Sequence, residues 1–263
     1  MRGINYNGPQ STTKFADVLA DVETCERDID WLLKLNANAI FVADLEPLQD
    51  HAPCMKAFDA AGIYVVVKFE IATELLVSWS YDHYEKFLRV IDNMAGYRNT
   101  LGIRAGLISA RPDKATTASI NDYARLKAVV RDLKGYIQEK RLGEIPIGVA
   151  AWSDVPIIES YIVSYMTCLG EESQPDFIVV VLKWSTGDTY AYCHTPDEMS
   201  TILDIFHTVD LPILAELVVC ETQGNDDYSQ VNQTFALNQS ALLSGIHFGE
   251  FFNTSSERLG KRL

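Results

Sequence analysis

Eight short apolar runs recur along this chain, at residues 3–6, 39–45, 64–70, 100–111, 145–152, 176–184, 211–219 and 245–251. Between them lie stretches whose apolar residues repeat at helical spacing, at 21–35, 51–61, 81–97, 119–140, 155–166, 196–207 and 231–243. The first of these stretches shows the pattern well, with Val22, Cys25, Ile29, Leu32 and Leu33 on one face. A strand that is apolar on both faces belongs to a parallel sheet covered on both sides, and a parallel connection needs a crossover helix. Strands alternating with helices in this number predict an α/β fold, a (β/α)8 TIM barrel. A length of 263 residues with 48% hydrophobic composition suits one barrel domain over residues 1–263. After the eighth run, residues 255–263 leave room for only a truncated eighth helix. A flank so thinly covered would favour a homodimer.

The balance of charge narrows the partners. A net charge of −14 argues against nucleic acid and against anionic membrane. No apolar run is long enough to span a bilayer. No apolar segment follows Met1 to Tyr6 in the manner of a signal peptide, so the chain is expected to be cytoplasmic, or secreted if Met1 is not its natural start. Three glycosylation triplets, at Asn232, Asn238 and Asn253, would matter only in the second case. Five cysteines are an odd number, so at least one is unpaired within the chain. There is no metal-ligand spacing, no phosphate-binding glycine loop and no Cys-His nucleophile motif, and no cofactor is expected. A small-molecule ligand is the expected partner.

Barrels of this kind carry their chemistry at the C-terminal ends of the strands. The fourth run ends in Gly106-Leu107-Ile108-Ser109, which offers no acid or base, yet Arg104 sits inside it. Other charged residues fall in similar places: Lys68 and Glu70 on the third run, Lys183 on the sixth, Glu216 on the seventh, His247 and Glu250 on the eighth, and Asp44 at the end of the second. Buried charges need partners. One reading is an internal salt-bridge network of Lys68, Arg104 and Lys183 with Glu70, Glu216 and Glu250. The other is a pocket whose ionisable groups have shifted pKa values and suit acid–base work. A lone interior His247 is more often structural. Tyr6, Phe41, Trp79, Trp152, Trp184 and Phe248 either line an apolar cavity or pack the core.

Several stretches resemble one family. Arg2-Gly-Ile-Asn-Tyr, Leu19-Ala-Asp-Val-Glu-Thr-Cys-Glu-Arg-Asp-Ile and Asp50-His-Ala-Pro-Cys-Met-Lys-Ala-Phe-Asp-Ala-Ala-Gly-Ile-Tyr-Val resemble the start of the fungal glycoside hydrolase family 72 β-1,3-glucanosyltransferases. Ala128-Val-Val-Arg-Asp-Leu-Lys-Gly-Tyr-Ile and Ile145-Pro-Ile-Gly-Val are similar to the same family. The resemblance implies a (β/α)8 barrel that cuts and rejoins β-1,3-glucan with retention. Retention uses two carboxyl groups about 5 Å apart, one as nucleophile and one as acid/base. The family's acid/base ends a Gly-Asn-Glu motif on strand four, which here reads Gly106-Leu107-Ile108. Isoleucine transfers no proton. The family's nucleophile lies three residues before a cysteine; counting back from Cys220 gives Leu217, and strand alternation puts Glu216 on the other face unless a bulge intervenes. The family's sugar-contacting Arg and Tyr on strand two fall on Phe41 and Ala43, and its Asn and Tyr on strand six on Val181 and Lys183. Lys68 stands where the family usually carries Asp. Cys25 and Cys54 match a family disulfide, and Cys168 matches a cysteine whose partner would lie beyond Leu263; Cys193 and Cys220 offer another pairing, and plain buried thiols remain the alternative.

Three functions follow as expectations. The first is a glycosidase-like barrel that has lost its glycoside-cleaving residues and now binds a small, largely apolar molecule, with a cyclisation, isomerisation or proton transfer as its chemistry. Its candidate catalytic residues are Lys68, Glu70, Arg104, Lys183, Glu216, His247 and Glu250. Tyr6, Phe41, Asp44, Trp79, Ile108, Trp152, Trp184, Leu217 and Phe248 are its candidate ligand contacts. The second is a β-1,3-glucan-binding pseudoenzyme. The third is a β-1,3-glucanosyltransferase that uses Glu216.

Overall fold

The structure is a computed structural model that describes residues 1–8, 10–11, 14–69, 80–110, 117–153, 156–168, 170–184, 196–206, 209–219 and 243–250. Within these, side chains are left aside at 10–11, 14–15, 108–110, 117–121, 152–153, 156–161, 183–184, 196–199, 219 and 250.

Eight strands form the centre: β1 (Arg2–Asn5), β2 (Ala39–Ala43), β3 (Tyr64–Lys68), β4 (Thr100–Ala110), β5 (Ile147–Ser153), β6 (Phe177–Trp184), β7 (Ile213–Val219) and β8 (Gly245–Glu250). They pair in parallel in the order β1-β8-β7-β6-β5-β4-β3-β2, and β1 closes on β2, so the sheet is a barrel without edges. Between the strands run α1 (Val22–Lys34), α2 (Ala52–Ala60), α3 (Tyr81–Met94), α4 (Thr117–Lys140), α5 (Pro156–Thr167) and α6 (Pro196–Phe206). The predicted helix at 231–243 and the tail at 255–263, on which the homodimer expectation rested, lie outside the described residues apart from Leu243. Among the described residues no helix is long and apolar enough to cross a membrane.

Local chemistry sets the helix ends. Asp21 caps α1, its carboxylate accepting from the Thr24 N–H at 3.2 Å. Past α2 the chain turns at Gly62, whose φ of 72° suits a residue without Cβ. Asp17 links the loops above: its carboxylate accepts from Leu19 N–H at 3.1 Å and Glu46 N–H at 2.7 Å, and lies 2.8 Å from Nε2 of the buried His51. The other ring nitrogen of His51 faces Asn93 Oδ1 at 2.9 Å. Cys25 and Cys54 are joined by a disulfide, which settles the alternatives left open by the sequence for that pair. Cys168 is free and exposed, while Cys193 and Cys220 lie outside the described residues.

Alternation along the strands creates two apolar layers. Ile40, Val42, Val65, Val67, Ile103, Val149, Ile178, Val180, Ala215 and Leu217 face outward and pack under the helices. Phe41, Val66, Ala150, Phe177, Val179, Val181 and Leu214 face the barrel axis. Near the N-terminal ends of the strands the axis is filled. A Cβ on Gly148 would collide with the Phe177 ring, and one on Gly102 would meet the same ring at 3.2 Å. Glycine at both positions is what lets that ring lie inside the barrel.

Candidate functional site

Above this packed floor the inward positions become polar. Asn5 on β1, Lys68 on β3, Arg104 on β4, Glu216 on β7 and His247 on β8 are all buried. The register explains the meeting: Lys68 pairs with Arg104, Glu216 pairs with His247, and Asn5 follows Gly3, the partner of His247. Glu216 is the hub. Its Oε1 accepts from Asn5 Nδ2 at 3.0 Å, and its Oε2 accepts from Arg104 Nη1 at 3.0 Å. His247 Nε2 lies 3.5 Å from the same oxygen. Lys68 Nζ donates to Asn5 Oδ1 at 3.1 Å, so Asn5 relays between a cation and the carboxylate. The His247 ring stacks on Phe41 with centroids 3.7 Å apart and planes 13° from parallel. Gly3 makes this stack possible, since a Cβ there would run into both rings' side chains.

The electrostatics follow from this enclosure. Burial works against a charge on Glu216, but His247, Arg104 and Lys68 outweigh it and hold the carboxyl well below the usual carboxylate range. Burial pushes the His247 imidazole down, Glu216 opposes the fall, and Lys68 and Arg104 add to it. The contact with His247, followed by the charges of Arg104 and Lys68, is what keeps the Glu216 carboxyl ionised against its burial. The arrangement presents an ionised carboxylate of low basicity, bound on both oxygens.

Of the candidate catalytic residues, Lys68, Arg104, Glu216 and His247 come together. Asn5 and its bridging role were missed; its even spacing from Gly3, inside the Arg2-Gly-Ile-Asn-Tyr stretch, was the available signal. Phe41 also joins the group. The expected parity of β7 is corrected: Glu216 points inward without a bulge in the β6–β7 or β7–β8 pairing, and Leu217 points outward into the layer under the helices. Counting back three residues from Cys220 lands on Leu217, the outward-facing neighbour of Glu216. Tyr6 is not a ligand contact. It follows the last residue of β1 into the outer core, where it packs edge-on against Phe58 at 5.8 Å and donates to Asp28 at 3.0 Å. Phe248 likewise packs outward, one position past the inward His247. Asp44 follows the end of β2 with a φ of 55°, the left-handed region that Asp tolerates better than most residues.

The end of β4 differs from simple alternation. The pairing with β5 slips between Arg104 and Leu107, and Leu107 packs against the inward apolar group. The side chain of Ile108, expected to share a face with Arg104, lies outside the described residues. The same holds for the side chains of Trp152, Lys183, Trp184 and Glu250, while Glu70 and Trp79 fall outside altogether. Of the salt-bridge network predicted from sequence, the Arg104–Glu216 pair is present.

Fold and site together are a (β/α)8 barrel with an ionised glutamate aimed at its axis from strand seven. Residues 1–258 match the glucanosyltransferase family, glycoside hydrolase family 72, and the chain belongs to that family. It is 29% identical to a 1,3-beta-glucanosyltransferase of Arthroderma benhamiae over 93% of this chain and 46% of that protein. It is 33% identical to pH-responsive protein 1 of Candida albicans over 72% of this chain and 35% of that protein. A mutant Saccharomyces cerevisiae Gas2p, solved in complex with laminaritetraose and laminaripentaose, shares the fold with a TM-score of 0.77 at 24% identity, covering 95% of this chain and 56% of that one. The chain thus spans about half or less of the length of these relatives.

The cytoplasmic expectation is overturned by this kinship. The relatives are fungal 1,3-beta-glucanosyltransferases, named for work on a polymer of the cell wall, outside the cytoplasm. The Cys25–Cys54 disulfide is the chemistry of an oxidising compartment and points the same way. The lack of an apolar segment after Met1 does not by itself fix the compartment.

Proposed function

We propose that this chain is a family 72-type barrel that binds β-1,3-glucan and does not transfer glycosyl groups. One observation carries the reading. The only carboxylate among the described inward side chains, Glu216, is held on both oxygens by Asn5 and Arg104, while Ile108, which transfers no proton, occupies the strand-four position where the family resemblance implies the acid/base. Double displacement at an acetal needs a second carboxyl group to protonate the departing oxygen and later activate the acceptor. Glu216 accepts one hydrogen bond on each oxygen and keeps a lone pair on both, so the missing second carboxyl group is what decides the reading. Family membership and the laminari-oligosaccharides bound by the related Gas2p support β-1,3-glucan as the ligand.

The test is a pair of measurements on one preparation. Calorimetry with laminari-oligosaccharides is expected to show binding. Incubation with the same oligosaccharides is expected to leave their chain lengths unchanged. Redistribution of chain lengths that Glu216→Gln abolishes would overturn the proposal in favour of a working transferase. Indifference to every laminari-oligosaccharide would remove the glucan half of it.

A second reading rests on the inward apolar side chains Phe41, Val66, Leu107, Val181 and Val218, two of which stand where the family resemblance implies sugar-binding polar groups. They suit a small, largely apolar molecule, bound and converted by cyclisation, isomerisation or proton transfer. Thermal stabilisation by such a molecule, sensitive to Phe41→Ala, would favour it over glucan.

A further inference from the structure

At the opposite end of the barrel from the strand C-termini, a cleft of about 300 Å³ is lined by Asp59, Gly62, Ile63, Tyr64, Arg98 and Asn99. That is at the lower end of the size range of small-molecule sites, roughly 300–1,000 Å³. Its parts come from the end of α2, the start of β3 and the connection from α3 to β4. No residue of the axial site lies in it.

Three features of the cleft define what it would accept. Tyr64 leaves 46% of its surface exposed where it opens β3. Beside it Arg98 Nε lies 2.9 and 2.7 Å from the two carboxylate oxygens of Asp59. This pair is neutral overall, so it has little attraction for an ion of either sign. It still offers guanidinium N–H donors and carboxylate acceptors side by side. Gly62 adds bare backbone, with nothing within 4 Å of where a Cβ would stand. The walls are firm: Asn99 is buried and its amide donates to Met55 O at 3.0 Å and Ile63 O at 3.2 Å.

A neutral molecule with a flat apolar face and an edge crowded with hydroxyls matches all three features. The axial C–H face of a glucopyranose lies on an aromatic ring, and its vicinal hydroxyls both donate and accept. We infer that the Tyr64–Arg98–Asp59 cleft is a second carbohydrate-binding site, which takes a glucosyl segment of a β-1,3-glucan chain independently of the barrel axis. The inference rests on the glucan reading above. Two sites at opposite ends of one barrel would raise the effective concentration of a polymer far more than that of a short oligosaccharide.

The experiment is electrophoresis of the folded chain through native gels with and without laminarin, mobility being read relative to the laminarin-free gel. Tyr64→Ala and Arg98→Ala are each expected to weaken retardation by about five- to tenfold, the loss of one anchoring contact. Tyr64→Phe is expected to keep it, and a gel containing a β-1,6-glucan is expected to retard none of them. Arg98 is a surface side chain, so its variant guards against a folding defect in Tyr64→Ala; thermal melts check both. Retardation of the wild-type chain that both variants retain in full would overturn the second site and leave the glucan reading standing. Absence of wild-type retardation together with absence of oligosaccharide binding would sink both.

Discussion

Arg104 on β4 and Glu216 on β7 meet inside the barrel, Nη1 to Oε2 at 3.0 Å, although two strands separate them in the sheet. Their side chains are 4% and 11% exposed, so the pair exchanges its solvation for the bond and for the hydrogen bond that Asn5 adds. A buried pair of this kind is a weak source of stability as a whole, but breaking it from one side is severe.

Arg104→Ala should therefore destabilise the fold by about 3–5 kcal/mol, because it strands the Glu216 carboxylate in the interior. Adding Glu216→Gln should recover part of that loss. Urea unfolding of the two single variants and the double variant measures the coupling. Equal and additive losses would show that the two side chains do not interact.

Acid should weaken the fold through the same carboxylate. The Glu216 pKa is depressed in the folded state. Its contribution is therefore fully present above the unfolded value, about 4.3, and is lost as pH falls below that toward the folded value. Melting temperatures of the wild type should fall over this range, and Glu216→Gln should flatten that part of the profile.

His51 should act at the other end of the scale. Burial lowers its pKa, but hydrogen bonds to Asp17 and Asn93 and the charges of Asp17 and Asp50 outweigh this, and the net shift is upward. Stability from the His51–Asp17 contact should be complete below about pH 6.5 and decline as pH rises through the higher folded value. His51→Gln should remove this alkaline slope, read by thermal melts between neutral and mildly alkaline pH.

Gly148→Ala should destabilise by about 1–3 kcal/mol, since the new methyl group is forced into the Phe177 ring. Phe177→Leu in the same chain should return part of it. A Gly148→Ala protein as stable as the wild type would mean that the floor of the barrel is loose.

Most of the architecture was legible in the sequence because largely apolar runs alternate with longer stretches of helical spacing; the predicted and observed elements differ mainly at their ends. The site was legible only in part. Lys68, Arg104, Glu216 and His247 stand out as charges within apolar runs, but which of them meet depends on register, which a single strand does not encode. Counting residues from Cys220 inverted Glu216 and Leu217, because an error of one residue in such a count reverses the parity. Tyr6 misled for a related reason: its position just past β1 looks like a rim, yet it turns outward to Asp28. The short antiparallel pair Gln10–Ser11 and Lys14–Phe15 left no mark at all, being too brief to show alternation.

The Phe177 ring seated between Gly102 and Gly148 closes the floor of the barrel. A polysaccharide cannot be threaded through such a vessel from end to end. Any ligand that reaches the axial side chains must therefore enter and leave by one end, past the C-terminal ends of the strands.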